Sequence, residues 1–278
     1  MKKPSPWKPY LKPIIFLPQD HGSWIFLISP LLIGVFVGGE ANLATPFLVL
    51  GAFAAFLIRQ PVTIFIKAMS GRRSRADLRP AAFWSGLYAL LGFVSLAGLT
   101  WLGVGFVLLL AVPALPVFAW HLWLVSRRAE RRQIGVEILG SGVLALSATA
   151  AVWVGLGEPD PVGWWLWILT WFQSAASIVY AYLRLAQRDL QEVPLFRERL
   201  VLGRRALMYT SFNFLAVLVL SLINILPTFL WIPYAIQWGE SIYGTLKPAV
   251  KVKPTLIGIR QLIVSIIFTI TFIVTWNI

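Results

Sequence analysis

The sequence predicts an all-α, polytopic membrane bundle of about nine transmembrane helices, with the N-terminus cytoplasmic and the C-terminus outside. Three observations predict it. Hydrophobic residues make up 58% of the 278 and charged residues 13%, with a mean hydropathy of +0.77, whereas an average soluble domain carries about 25% charged residues. Apolar runs recur at the length of about 20 residues that a spanning helix needs. Lys and Arg appear in every second loop and are missing from the loops between.

The apolar runs lie near residues 22–39, 44–66, 82–99, 102–125, 134–155, 163–183, 206–225, 227–245 and 256–276, and make a single transmembrane domain over residues 1–278. Ahead of the first run stand Lys2, Lys3, Lys8 and Lys12 in a proline-rich lead. No small-residue cleavage pattern follows that lead, so the first run is kept as a span and not taken as a signal peptide. The segment after span two carries Lys67, Arg72, Arg73, Arg75 and Arg79, and the one after span four carries Arg127, Arg128, Arg131 and Arg132. The segment after span six holds Arg184, Arg188, Arg197, Arg199, Arg204 and Arg205, and the one after span eight holds Lys247, Lys251 and Lys253.

The intervening loops contain no Lys or Arg, only the acids Glu40, Glu158 and Asp160. Positive charge gathers on the cytoplasmic side of membrane proteins, which fixes the expected orientation, and a missed or invented span would break the alternation. Trp101, Trp153, Trp164, Trp165 and Trp276 fall near the expected outer interface and Trp120, Trp123 and Trp238 near the inner one, so most of the 14 tryptophans are expected to be interfacial anchors. Gly135, Gly140, Gly142 and the alanines of residues 145–151 mark span five as a place where helix backbones approach closely.

The same composition excludes several function classes. The net charge of +13 is spent on topology beside apolar spans, so nucleic acid is not an expected partner. With no cysteine there is no thiol nucleophile, disulfide or iron–sulfur cluster, and two histidines do not make a His-rich metal site. No G-x-S-x-G, P-loop, H-E-x-x-H or G-x-G-x-x-G pattern occurs.

What remains is a small set of polar residues in the membrane zone. Arg59-Gln60-Pro61 sits inside span two, where an arginine costs about 2.5–3.5 kcal/mol unless partnered and a proline frees backbone carbonyls. Asp20 and His21 open span one, Glu137 lies in the first turn of span five, Glu240 lies late in span eight, and Arg260 enters span nine. Tyr180, Arg184 and Arg188 recur every fourth residue and form one stripe, which suits a phosphate held by charge-assisted hydrogen bonds. The bland alternatives are that Arg59 pairs with Glu137 or Glu240 to fix helix register, that Arg184 and Arg188 meet lipid headgroups, and that Asp20 caps a helix.

The segment Pro18-Gln19-Asp20-His21-Gly22-Ser23-Trp24 resembles the P-x-x-H-G-x-W opening of the YwiC-like membrane protein family. Arg59-Gln60-Pro61, Glu137 with Gly140, and Lys253-Pro254 with Ile257-Gly258-Ile259-Arg260-Gln261 are similar to the same family. The resemblance implies a membrane fold and draws attention to His21, Arg59 and Glu137; it implies no reaction. In architecture alone, nine helices with long cytoplasmic segments after spans two and six also resemble the UbiA-type intramembrane prenyltransferases. Those enzymes hold magnesium with paired carboxylates in these two segments. Here the segments offer Asp77, and Asp189, Glu192 and Glu198, without the D-x-x-x-D spacing, so magnesium, a metal site or another cofactor is not expected.

The expected site is a cytoplasm-facing intramembrane one that binds an anionic amphiphile, such as a prenyl diphosphate or a lipid, through Asp20, His21, Arg59, Gln60, Glu137, Tyr180, Arg184, Arg188, Glu240 and Arg260. Its expected partners are membrane lipids and that small molecule, in a multi-pass protein of a bacterial plasma (inner) membrane. Two alternatives stay open: a secondary transporter or channel for an anion or proton, and a non-catalytic scaffold whose basic loops recruit acidic partners. Whether the protein is an enzyme stays open as well, with His21 and Glu137 the candidates to move a proton.

Overall fold

The structure is a computed structural model that describes residues 9–19, 21–39, 41–127 and 133–278, with His21 described as backbone only. Among the described residues ten α-helices follow one another. They are α1 (Pro13–Phe16), α2 (His21–Val37), α3 (Thr45–Met69), α4 (Leu78–Trp101), α5 (Ala111–Ser126), α6 (Ile134–Leu156), α7 (Pro161–Arg188), α8 (Phe196–Leu222), α9 (Trp231–Leu246) and α10 (Pro254–Trp276). Short 3₁₀ turns at Arg75–Asp77 and Gly105–Leu110 lead into α4 and α5, and the described residues form no strand.

Among the described residues seven stretches are long and apolar enough to cross a membrane: Thr45–Met69, Arg75–Trp101, Gly105–Ser126, Ile134–Leu156, Pro161–Arg188, Phe196–Leu222 and Pro254–Trp276. The apolar helix of residues 22–37 is shorter, and α9 has 16 residues. At 1.5 Å per residue, α9 is about 24 Å long, less than the hydrocarbon core of about 30 Å. Both short helices coincide with predicted spans, so the described residues support a multi-pass helical membrane protein with seven clear spanning segments.

Two helix ends depart from the hydropathy reading. α7 runs on to Arg188, and α8 begins at Phe196 where the apolar run suggests about residue 206. The first turns of α8 are basic and polar, so hydropathy misses them, yet Glu198 accepts from Leu195 N at 2.9 Å and caps the helix start. Arg197, Arg199, Arg204 and Arg205 are therefore helical residues and not part of a loop.

The core centres on α6 and α7, whose most apolar windows are 61% buried against 17–28% for the other long helices. The small residues of α6 explain its position: a Cβ added to Gly34 of α2, or to Gly38 just past its end, would strike Ala148 or Val152, and one on Gly155 would strike Gly38. Gly142 is pressed against Trp171, but nothing lies within 4 Å of a Cβ at Gly135 or Gly140, so the expected close contacts hold for only part of the run. Trp153 is likewise no interfacial anchor. It is 3% exposed and donates to Asp160 O at 2.8 Å, beside the turn where Asp160 caps α7 through Val162 N.

At the other end of the chain, residues 10–17 form a strap laid across α3 and α4. Three side chains donate to its backbone carbonyls: Gln60 to Ile14 at 2.8 Å, Trp84 to Tyr10 at 2.8 Å and Tyr88 to Phe16 at 3.0 Å. Ile15 is fully buried with Ile64 and Ala81, and Lys12 approaches Asp77, which Arg73 also holds.

Candidate functional site

The best-defined polar site is built where the C-terminal ends of α7 and α9 meet the first turns of α10. α9 comes so close to α7 that a Cβ on Gly244 would collide with the Tyr180 ring and hydroxyl. One turn beyond Tyr180, Arg184 is buried, and its Nη1 reaches Gly244 O and Lys247 O at 2.8 Å each and Gln187 Oε1 at 3.0 Å. These carbonyls close α9, where helix geometry leaves acceptors unpaired and partial negative charge collects, so a buried cation is well matched to them. Gln187, fully buried, donates to Gly244 O and accepts from Ala249 N, which ties the α9–α10 connection to α7.

Glu240 and Arg260 form the second part. Arg260 Nε and Nη2 reach the two carboxylate oxygens of Glu240 at 2.6 and 2.7 Å, and Tyr180 donates to Oε1 at 2.7 Å. This fork-to-fork pairing is the strongest ion-pair geometry available to arginine. The Arg260 guanidinium also stacks over Tyr243, 4.3 Å from the ring centre, with the Lys247 ammonium 5.3 Å from the same ring. The side chain of Glu240 is 12% exposed and that of Arg260 43%, so the acid faces inward and the cation faces out.

A cavity of about 370 Å³ opens beside this network. Arg184, Lys247 and Arg260 give it positive charge, Tyr180 and Tyr243 give it aromatic walls, and Val252, Leu256 and Ile257 give it an apolar side. The volume is of the order of a small-ligand pocket, roughly 300–1,000 Å³. Charge on one wall and aliphatic surface on another is the lining an amphiphile with an anionic head would meet.

Four of the expected residues, Tyr180, Arg184, Glu240 and Arg260, are brought together here. Arg188 is the stripe's outlier: its Nε turns to the neighbouring Asp189 at 3.1 Å, and it does not line the cavity. Arg59, Gln60 and Glu137 are elsewhere. Gln60 holds the N-terminal strap, the exposed Glu137 accepts from Tyr182 at 2.6 Å, and Arg59 is half-buried in α3. Asp20 and the side chain of His21 lie outside the described residues. Among the described residues no three His, Asp or Glu side chains gather as a metal site would require.

Inward from Glu240 a polar seam continues between α7, α9 and α10. Gln237 donates to Gln173 O and Ser177 Oγ, Gln173 reaches Ser177 and Ser265, and Thr269 shares a 2.6 Å bond with Ser29 of α2. Beyond it stand the buried aromatics Tyr234, Phe268 and Phe272, with ring centres 5.1 and 5.8 Å apart along the row. Sequence reasoning missed Lys247, Tyr243, Gln187, Gln237 and Gln261. In the sequence Lys247 reads as one more topology charge, and the lone glutamines have no spacing that separates them from other polar residues in apolar helices.

Fold and site together define a multi-pass helical membrane protein with a cationic, half-apolar cavity near one end of its helices. Residues 17–153 match the model of the YwiC-like protein family. Over 152 residues the chain is 25% identical to the uncharacterized protein YwiC of Bacillus subtilis (strain 168), a match covering 55% of this chain and 59% of that protein. No solved structure matches the chain.

Proposed function

We propose that the protein binds the anionic head of a membrane amphiphile, a prenyl diphosphate or a lipid, in the cavity between α7, α9 and α10. The observation that carries this reading is the joining of three cations to an aliphatic wall within one cavity of about 370 Å³. The exposed Lys247 is the cation available to a ligand; Arg260 is held by Glu240 through Nε and Nη2, and Arg184 is committed to the carbonyls that end α9. The orientation follows from the basic loops: nine spans, a cytoplasmic N-terminus, an outer C-terminus and a cavity on the cytoplasmic side of a bacterial plasma membrane. The likeness to UbiA-type enzymes rests on helix count and loop position alone, and no magnesium-dependent step is part of the proposal.

The aromatic row of Tyr234, Phe268 and Phe272 favours a one-sided site over transport, because beyond Thr269 the hydroxyls of Thr271 and Thr275 on α10 bond carbonyls of their own helix and extend no side-chain network. Thermal unfolding of the protein in mild detergent tests the reading, with farnesyl diphosphate as ligand and farnesol and inorganic phosphate as controls. A ligand that binds the folded state raises its apparent stability. The expected result is a rise with the diphosphate that neither control gives and that Lys247→Glu abolishes. No rise at saturation, or an undiminished rise in the variant, would refute it.

A further inference from the structure

Behind Tyr180 and Glu240 lies a second cavity, of about 20 Å³, lined by Ser177, Gln237, Glu240, Gln261 and Ser265 among others. It is separate from the larger one, although Tyr180 and Gln261 line both. Gln237 is 6% exposed, and its Nε2 is fixed by Gln173 O at 2.9 Å and Ser177 Oγ at 3.0 Å. That leaves Oε1 a buried acceptor without a partner among the described residues, and Nε2 of Gln261 is a buried donor in the same condition.

An unpaired buried acceptor on α9 and an unpaired buried donor on α10 thus share one small chamber. Burying such groups without hydrogen bonds is unfavourable, and native proteins meet the need with protein or with ordered water. A single water needs roughly 10–15 Å³ of such space and two or more polar partners. A cation would face the Gln261 amide hydrogens, and an anion would face Gln237 Oε1 and the Glu240 carboxylate. Only a neutral molecule that both donates and accepts suits both amides.

We infer that this chamber is a binding site for one buried water, which donates to Gln237 Oε1 and accepts from Gln261 Nε2. The water links α9 to α10 directly beneath Tyr180 and Arg260 and hydrates the inner side of the Glu240 carboxylate. The inference stands apart from the anion reading, since neither amide atom needs a ligand in the larger cavity.

The first test is a structure of the full chain in lipid nanodiscs at a resolution that shows water. The expected result is a density peak about 2.7–3.2 Å from both amide atoms. An empty chamber, a direct Gln237–Gln261 bond, or a peak with contacts of about 2.4 Å that requires sodium overturns the proposal. The second test is a double-mutant cycle on melting temperature with Gln237→Leu and Gln261→Leu. Either change removes the water, so the double variant should fall by clearly less than the sum of the two single falls, and additive losses would refute the bridge.

Discussion

The two halves of the chain use polar side chains differently. In the half that matches the YwiC-like family, residues 17–153, the described polar contacts mostly hold backbone: Gln60, Trp84 and Tyr88 secure the strap, and Trp153 and Thr149 bond carbonyls at the turn between α6 and α7. In the half beyond, side chains bond one another across three helices and border a cavity. Every lining residue of that cavity, from Tyr180 to Gln261, lies outside the matched stretch. The match to the family model therefore says nothing of the binding properties of the half beyond it.

Substitutions break or sharpen this contrast in a definite order. The largest effect is expected at Gly244→Val in the C-terminal half, where the new side chain meets Tyr180 and the bond between α9 and Arg184 is strained. Overpacking of this kind costs about 1–3 kcal/mol or more. It should lower the melting temperature and abolish diphosphate stabilisation together, and a variant as stable as the parent would mean that α7 and α9 are less close than described. Arg184→Met comes next, at about 1–3 kcal/mol, because Lys247 O loses its described side-chain donor while Gly244 O keeps Gln187. Thermal unfolding compared with Arg188→Met, expected to be nearly neutral, checks that the two stripe residues differ.

Gln60→Leu probes the N-terminal half. Its loss of one hydrogen bond to Ile14 O, worth about 0.5–1.5 kcal/mol, should speed proteolysis around residues 10–17 and leave ligand binding intact. A loss of binding would erase the division between the halves. Smallest in stability but not in function is Lys247→Gln, on an exposed residue: the melting temperature should hold while affinity for the diphosphate falls about tenfold, checked by titration.

Much of the fold was legible in the sequence because hydropathy and loop charge are local signals. α6 and α10 begin and end within two residues of their apolar runs. The start of α8 was not legible, since a basic amphipathic turn looks like a loop to any hydropathy window. For the site, periodicity placed Tyr180 and Arg184 on one face, yet their roles divide: one serves an ion pair, the other a helix end. The pairing of Glu240 with Arg260 joins residues twenty apart on two helices, and only packing chose Arg260 over Arg59 as the partner of that acid. The polar seam was hidden for the same reason, because its members touch through space and share no spacing.

The length of α7 has a consequence for how a ligand would arrive. Its 28 residues make about 42 Å of helix, some 12 Å more than the hydrocarbon core is thick, and Tyr180 and Arg184 stand in its last three turns. In the orientation proposed above, a cavity near this end of α7 would lie close to the headgroup boundary of one leaflet, so an amphiphile would slide in sideways from that leaflet without passing through water. Occupancy would then follow the ligand's mole fraction among the surrounding lipids, and dilution in buffer would matter far less than dilution in membrane.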